Sequence, residues 1–308
     1  MKKIVVTGAL GFIGFSLCLR LLDRGFKVVG IDGMINSQLK EFYEEKLLWI
    51  GRNSQFHFIN KRIEDADIKA VLKGVDTVYH MAAATSKERS WDELPKTIQD
   101  NVGVTEKIIS ACEQNTKVIY TSSTQVYGER TGTITENTPL NPITPYSLTK
   151  MAAEALIKSK CNQFGVPYVI FRLPTVYGPW QRDDMAYCKL IVKKLMSDKN
   201  TSANSDRVTE DVLYIEDILD TLIEAGIKAE CKNEVFNLST GKVNEWFRGL
   251  ALISNKTISE PSDKRLLVSI SNEKVVSQLG FKVVTNLETG LKAQKEHIKK
   301  YKHLYLRQ

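Results

Sequence analysis

The chain predicts an α/β protein, a doubly wound parallel sheet with a smaller C-terminal lobe interleaved with it. Three observations carry this prediction. Short β-branched runs alternate with helical apolar spacing as far as about residue 172. The first run, Lys3-Ile4-Val5-Val6, leads at once into a glycine-rich turn, Thr7-Gly8-Ala9-Leu10-Gly11-Phe12-Ile13-Gly14. Beyond about residue 173 the alternation loosens into helices with few, short strands. Parallel strands need crossover helices on both faces, and ligands of such sheets sit beyond the carboxyl ends of the strands.

Taken in order, a first strand at 3–6 is followed by helical spacing over 12–22, then by a second strand at 27–31 that ends in Asp32. A third strand is expected at 55–59. A fourth, at 75–79, ends in His80-Met81-Ala82-Ala83. A helix over 94–114 precedes a fifth strand at 117–120, and a helix over 146–164 precedes a sixth at 168–171. After that come helices at 184–197, 216–229, 244–254 and 287–302, with strands near 212–214 and 234–238. The expected division is a dinucleotide-binding domain at 1–173, to which a strand and helix near 208–230 return, and a mainly substrate-binding lobe at 174–308. The polar stretch Ser197 to Asp206 reads as a mobile surface loop. There is no internal repeat.

The glycine turn stands between a strand and a helix, the context a Rossmann-type dinucleotide fingerprint requires. Gly8 permits the tight turn, Gly11 lets the backbone approach a pyrophosphate, and Gly14 lets the helix pack close to the strand. Phe12 and Ile13 open the helix, whose free N–H groups and partial positive charge suit phosphate. Asp32 can accept from adenosine ribose hydroxyls and would repel a 2′-phosphate. Neither Gly33 nor Met34 is a cation, so the expected cofactor is NAD rather than NADP. Ala82, past the end of the fourth strand, joins the expected cofactor contacts.

Tyr146 and Lys150 in Tyr146-Ser147-Leu148-Thr149-Lys150 lie four residues apart, on one face of a helix. A free phenol titrates near ~10, too high for a base at neutral pH. A nearby ammonium and a positive nicotinamide are expected to favour the phenolate and lower that value. Tyr146 would then take a proton from a sugar hydroxyl while hydride leaves the same carbon, and Lys150 would also hold the nicotinamide ribose. A small hydroxyl is needed opposite. The fifth strand runs out through Thr121-Ser122-Ser123-Thr124, and Ser123 is the choice.

Composition narrows the alternatives. The 308 residues are 43% hydrophobic, with no apolar run of membrane-span length and no signal-peptide core at the N-terminus. Five dispersed cysteines suit reduced thiols and a cytoplasmic setting. Four histidines show no metal-ligand spacing, so no metal is expected. The net charge of +7 suits an anionic substrate. Lys and Arg are spread along the whole chain, so neither nucleic acid nor membrane is an expected partner.

With these residues in place, the chain resembles the extended short-chain dehydrogenase/reductases, specifically the NAD-dependent nucleotide-sugar epimerase/dehydratase family. Further resemblances are Ser122-Ser123-Thr124-Gln125-Val126-Tyr127-Gly128, the proline-rich lead from Pro142 to Tyr146, Val176-Tyr177-Gly178-Pro179, Asp211 to Asp217, and Asn237 to Gly241. In that family, dehydratases and decarboxylases carry an acid just after the Ser/Thr. Thr124 and Gln125 stand there instead, which argues for a 4-epimerase. The run Thr175 to Met185, with Arg182 within it, is similar to that of UDP-glucuronate 4-epimerases. The resemblance implies that Thr175 and Thr124 hold the sugar carboxylate beside Gln125, and that Arg182 binds the nucleotide diphosphate. It implies a nucleotide-sugar substrate and a homodimer formed by pairing helices near 94–114 and 146–164; apolar positions such as Ile108, Ile109, Ala152, Ala155 and Leu156 allow that pairing and are equally explained by helix–sheet packing. The chain departs from the pattern at Glu210, where an Arg is usual and where Arg207 or Arg265 would have to compensate. Arg62 stands where an adenine-binding acid is usual, Pro174 replaces an aromatic, and the stretch from 241 to 260 is short. Two other readings remain: a nucleotide-sugar dehydratase or 4-ketoreductase, and an NAD-binding sensor with degraded catalysis.

Overall fold

Strand β1 (Lys3–Thr7) sets the pattern of the core: Ile4 and Val6 enter one hydrophobic cluster and Val5 the other. Successive residues of a strand face opposite ways, so a strand covered on both sides must be apolar throughout. Each such Ile or Val contributes roughly 1.5–3 kcal/mol by burial. The computed structural model describes residues 2–34, 36–85, 91–196, 211–255 and 268–306.

Among the described residues the later strands, in chain order, are β2 (Lys27–Asp32), β3 (Phe56–Asn60), β4 (Thr77–His80), β5 (Lys117–Ser123), β6 (Gly132–Ile134) and β7 (Tyr168–Leu173). They continue with β8 (Thr175–Tyr177), β9 (Val212–Tyr214), β10 (Glu234–Asn237) and β11 (Val268–Ile270). The helices are α1 (Phe12–Asp23), α2 (Lys40–Ile50), α3 (Ile68–Leu72), α4 (Leu94–Ile98), α5 (Val104–Ala111) and α6 (Pro145–Phe164). They continue with α7 (Ala186–Leu195), α8 (Ile215–Ile227), α9 (Glu245–Ser254), α10 (Glu273–Leu279), α11 (Leu287–Lys300) and α12 (Lys302–Tyr305).

Seven strands form one sheet in the order β10-β7-β5-β4-β1-β2-β3, and every pairing in it is parallel. The chain winds outward from β1 through β2 to β3, then returns to the other side of β1 with β4. The crevice at that reversal is where doubly wound sheets bind their ligands. One face packs on α1 and α8, with Ile4, Val6, Tyr79, Ile119 and Phe171 against Leu17, Leu21, Ile218 and Leu222. On the other face Val5 and Val78 pack with Val104 and Ile108, while Val118, Tyr120 and Ile170 pack with Ala153 and Ile157. The fold class expected from the sequence is the one observed.

Several details differ from the expectation. The helix expected over 94–114 is two helices joined by a π turn at Gln99–Gly103. Of the segment near 208–230, helix α8 lies on the sheet, but β9 pairs with β8 in a separate two-stranded sheet. The C-terminal strand that rejoins the main sheet is β10, hydrogen-bonded to β7. In exchange, β6 from the first half pairs with β11 from the second. Of the apolar positions on these helices, Ile108 and Ile109 take the helix–sheet alternative and are buried within this chain's own core. Ala155 is exposed, and Ala152 and Leu156 are half-buried. The loop from Ser197 to Asp206, Arg207, Glu210, Arg265 and residues 256–260 lie outside the described residues. No helix of the described residues is long and apolar enough to cross a membrane.

Candidate active site

The first wall of the site is the glycine turn. Gly8 has φ +67°, and a Cβ there would lie 2.8 Å from the Ala82 nitrogen. Both the left-handed backbone and the close approach of the β4 end therefore require glycine. A Cβ on Gly14 would lie 2.1 Å from the Gly8 carbonyl oxygen, so α1 packs directly on the turn. Gly11 is the N-cap of α1; it has no capping side chain, and the first turn of the helix has no acid. The N–H groups of Phe12 and Ile13 lack intrahelical partners, as at any helix start; Gly11 and Phe12 line the site at the positive end of the helix dipole, while Ile13 packs against the core.

Asp32 closes β2. Its Oδ2 accepts from the Leu10 N–H at 3.0 Å and its Oδ1 from the Met34 N–H at 3.4 Å. Burial pushes the carboxyl up, while the Leu10 and Met34 N–H groups and the Lys46 ammonium pull it back. Asp32 and the glycine turn line a crevice of about 850 Å³, whose far wall is built by Lys61 to Glu64, Ala82 to Thr85, and Arg182. That is the size of a cofactor site. A glycine cradle that a Cβ would fill, an uncapped helix start and a carboxylate at the end of the second strand together fit a dinucleotide. Arg62, which also lines the crevice, is held by Glu64 and lies 4.0 Å from the Asp100 carboxylate.

The second wall is the start of α6. Thr144 caps it through a reciprocal box with Ser147, and Pro145 occupies the first turn. Tyr146 follows. One turn on, Lys150 is buried, and its Nζ donates to the Thr121 carbonyl of β5 at 2.8 Å, 4.7 Å from the centre of the Tyr120 ring and 5.8 Å from that of Tyr146. Lys150 thus binds the helix to the carboxyl end of β5, whose last residue is Ser123. The Ser123 Oγ accepts from the Gln125 N–H at 3.2 Å.

Electrostatics here depart from the expectation. Burial brings the Lys150 ammonium down to about 7, with Glu154 opposing it. Burial also pushes the Tyr146 phenol up, where the sequence led us to expect it lowered. Burial is the cause of that rise, and the expected lowering included a positive nicotinamide that a bound cofactor would supply.

The other expected residues are placed as follows. Thr124 is wholly buried, and its Oγ1 donates to the Leu173 carbonyl at 3.3 Å. Gln125 and Thr175 are half-buried, on the turn after β5 and at the start of β8. Arg182 forks onto Asp184 at 3.0 and 3.1 Å. It lines the crevice beside Tyr43 and Lys46.

Three buried groups went unassigned in the sequence. His80 bridges the Thr7 and Thr105 hydroxyls at 2.8 and 2.9 Å; burial first, then Lys150, lowers it to about 3, so it is neutral at working pH. Asn101, in the π turn, accepts from the Ala84 N–H at 2.8 Å and donates to Thr149 Oγ1 at 2.9 Å. Thr149 Oγ1 in turn donates to the Tyr146 carbonyl at 2.8 Å, so Asn101 joins the loop after β4 to α6. Lys46 lies within the glycine turn's wall. The one signal in the sequence was polarity inside apolar periodicity. Among the described residues, no group of His, Cys, Asp and Glu is placed to hold a metal ion.

Comparison with known proteins agrees with this geometry. The model of the NAD dependent epimerase/dehydratase family matches residues 4–239. An uncharacterized UDP-glucose epimerase of Bacillus subtilis is 32% identical over 94% of this chain and 95% of its own length. A UDP-glucose 4-epimerase of Mycolicibacterium smegmatis is 30% identical over 78% of this chain and 77% of its own. Among solved structures, the UDP-glucuronic acid 4-epimerase of Bacillus cereus in complex with UDP-glucuronic acid and NAD superposes with a TM-score of 0.86 at 30% identity, covering 97% of this chain and 99% of that one. Glycine cradle, terminal Asp32, and the Tyr146–Lys150 helix start set against the end of β5 thus occur together with a match spanning most of the sequence, and the chain belongs to the NAD-dependent epimerase/dehydratase family.

Proposed function

We propose that this protein is a nucleotide-sugar 4-epimerase that interconverts UDP-glucuronate and UDP-galacturonate. The observation that carries the reading is the proton-handling set, Tyr146, Lys150 and Ser123, gathered at the end of β5 with only the neutral Thr124 and Gln125 beside it. Eliminating water across C5 and C6 needs a carboxyl group to move protons there; removing and restoring one proton at O4 does not. The likeness to the Bacillus cereus enzyme supports the uronate over the hexose, and the relatives named for UDP-glucose make the hexose the competing substrate.

NAD, when bound, supplies a reversible acceptor for the hydrogen at C4. The work of the chain's own residues is at O4 and around the sugar. Tyr146 takes the proton of the 4-hydroxyl and later returns it. Lys150, charged, stabilises the phenolate while it lasts. Ser123 donates to the same oxygen and fixes its position. The 4-keto sugar must be retained while its other face is presented, and a 4-keto uronate can also lose CO2. The carboxylate therefore has to be held away from the geometry that cleaves it. Thr175 and Gln125, both half-buried, are the donors for that task, and Thr124 braces the turn beneath them through Leu173. The reading includes a homodimer through α6, with Ala155 and Leu156 in the contact, to be checked by light scattering.

The test is incubation with UDP-glucuronate and NAD, read by NMR of the sugar nucleotide. UDP-galacturonate without net NADH is the expected result. UDP-glucose turned to UDP-galactose while UDP-glucuronate stays unchanged would replace the uronate with a hexose. Release of CO2 would make the enzyme a decarboxylase.

A further inference from the structure

Lys46 is a buried cation that the mechanism above does not use. It lies on α2 and is 3% exposed. Its Nζ donates to the Leu10 carbonyl at 2.8 Å and stands 5.3 Å from the Phe15 ring centre and 5.9 Å from that of Trp180. Asp32 takes the N–H of the same Leu10. Two opposite charges thus hold one residue of the glycine turn, Asp32 at its N–H and Lys46 at its C=O. That alone would be a structural role.

Two further facts point to a ligand. An ammonium carries three N–H donors, and among the described residues Leu10 takes one and no carboxylate is in ion-pair contact. Moreover, Lys46 and Arg182 line the same crevice as Gly11 and Phe12. Burial brings Lys46 down to about 7; Asp32 opposes this, and Arg182 adds to it. A buried ammonium with unused donors beside a second cation is costly, and an anion between them repays that cost. The anionic part of a dinucleotide is its diphosphate, and the uncapped start of α1 already faces the same crevice.

We propose that Lys46 is a ligand of the cofactor's diphosphate. The assignment does not depend on which sugar is turned over. It makes cofactor binding proton-linked, because the bound form needs the charged ammonium. The groups that face Lys46 are Asp32 from the end of β2, Arg182 and Asp183 from the turn after β8, Tyr43 from its own helix, and His297 from α11. His297 is held neutral at about 3 by burial, with Lys300 and Lys46 adding to it. Tyr43 is raised by burial and Asp32. Lys46 is therefore the group that titrates from neutrality upward.

The experiment uses the full-length chain freed of nucleotide, titrated with ADP, adenosine and NAD from pH 6.5 to 9, with tryptophan fluorescence as readout. In Lys46→Met, ADP and NAD should weaken about 10–100-fold, the loss of a hydrogen bond to a charged group, while adenosine changes less than about twofold. In the wild type, the Kd for ADP should rise toward about tenfold per pH unit above neutrality. Lys46→Arg should bind ADP within a few-fold of the wild type at pH 7 and stay flat to pH 9. Equal weakening of ADP and adenosine would reduce Lys46 to a brace for Leu10. Undiminished ADP binding by Lys46→Met would remove it from the site. If Lys46→Met does not fold, the Lys46→Arg profile decides: a slope equal to the wild type's would overturn the proposal.

Discussion

Tyr146 and Lys150 are set where burial works against both of their charged forms. A proton relay through Tyr146 depends on the phenol oxygen rather than the ring. Tyr146→Phe should lower kcat by about 10²–10⁴-fold while NAD retained per chain stays the same; a loss under tenfold would take Tyr146 out of the mechanism. Asp211 tests the same physics away from the chemistry. Its carboxyl accepts from the Val212 and Thr240 N–H groups at 2.9 and 3.0 Å, yet burial carries it up to about 6. A folded value above the unfolded one near ~3.9 gives a contribution that is complete below the unfolded value and is lost as pH rises through the folded one. The Tm difference between wild type and Asp211→Asn should therefore move against the wild type between pH 4 and 7. Parallel curves would mean that Asp211 is not raised. Ser123, Tyr146, Lys150, the three glycines and Asp32 were legible in the sequence because their chemistry lies in local spacing at strand ends. Lys46, His80 and Asn101 were not, because each acts on a partner far along the chain. The rise of the Tyr146 phenol was not legible either, since burial is a property of the fold.

At the scale of elements, one buried cluster fastens the turn after β5 to the sheet. Arg172 of β7 and Glu154 of α6 are 2% and 1% exposed and pair at 2.7 Å. Arg172 also donates to the Tyr127 hydroxyl at 2.8 Å and to the Glu136 carbonyl at 3.2 Å. Tyr127 donates to Asn237 of β10 at 2.7 Å. The cluster thus joins α6, the turn after β5, β7 and β10. Breaking a buried pair leaves a charge stranded. Glu154→Gln, nearly the same in volume, should destabilise by about 3–5 kcal/mol, read as a shift of the urea midpoint at constant m. A shift worth under about 1 kcal/mol would mean that Tyr127 and Glu136 satisfy Arg172 without Glu154. Long elements such as α6 and β5 were legible from period and composition. The three-residue strands β6, β8 and β11 were not, because each exists only through a partner that folding brings to it: Gly132–Ile134 pairs with Val268–Ile270. The π turn in the helix expected over 94–114 also escaped detection, since Asn101 is turned inward by its bonds to Ala84 and Thr149 rather than by its neighbours in sequence.

At the scale of the whole molecule, the chain's two halves complete each other's structure. The sheet face bearing Tyr79, Ile119 and Phe171 is covered by Ile218, Leu219, Leu222 and Ile223 of α8. The polar groups along that contact are matched across it as well. Thr77 Oγ1 donates to the Gly226 carbonyl at 3.0 Å, and Tyr79 donates to that of Ile223 at 3.3 Å. Lys117 and Lys2 cap the end of α8 through the Ala225 and Ile227 carbonyls at 3.1 and 2.9 Å. The fit is close enough that a Cβ on Gly226 would lie 2.1 Å from the Tyr79 hydroxyl. Strand β10, in turn, covers the edge of β7. A fragment of residues 1–173 holds the glycine turn, Tyr146 and Lys150, but it lacks this cover. It would expose an apolar face and an unpaired strand edge, both routes to aggregation. Expressed alone it should be insoluble or lack a cooperative melt, while the full chain unfolds in one transition. A soluble 1–173 fragment with a sharp Tm and NAD affinity near that of the full chain would show instead that the dinucleotide half folds by itself, with α8 and β10 as later additions to a finished core.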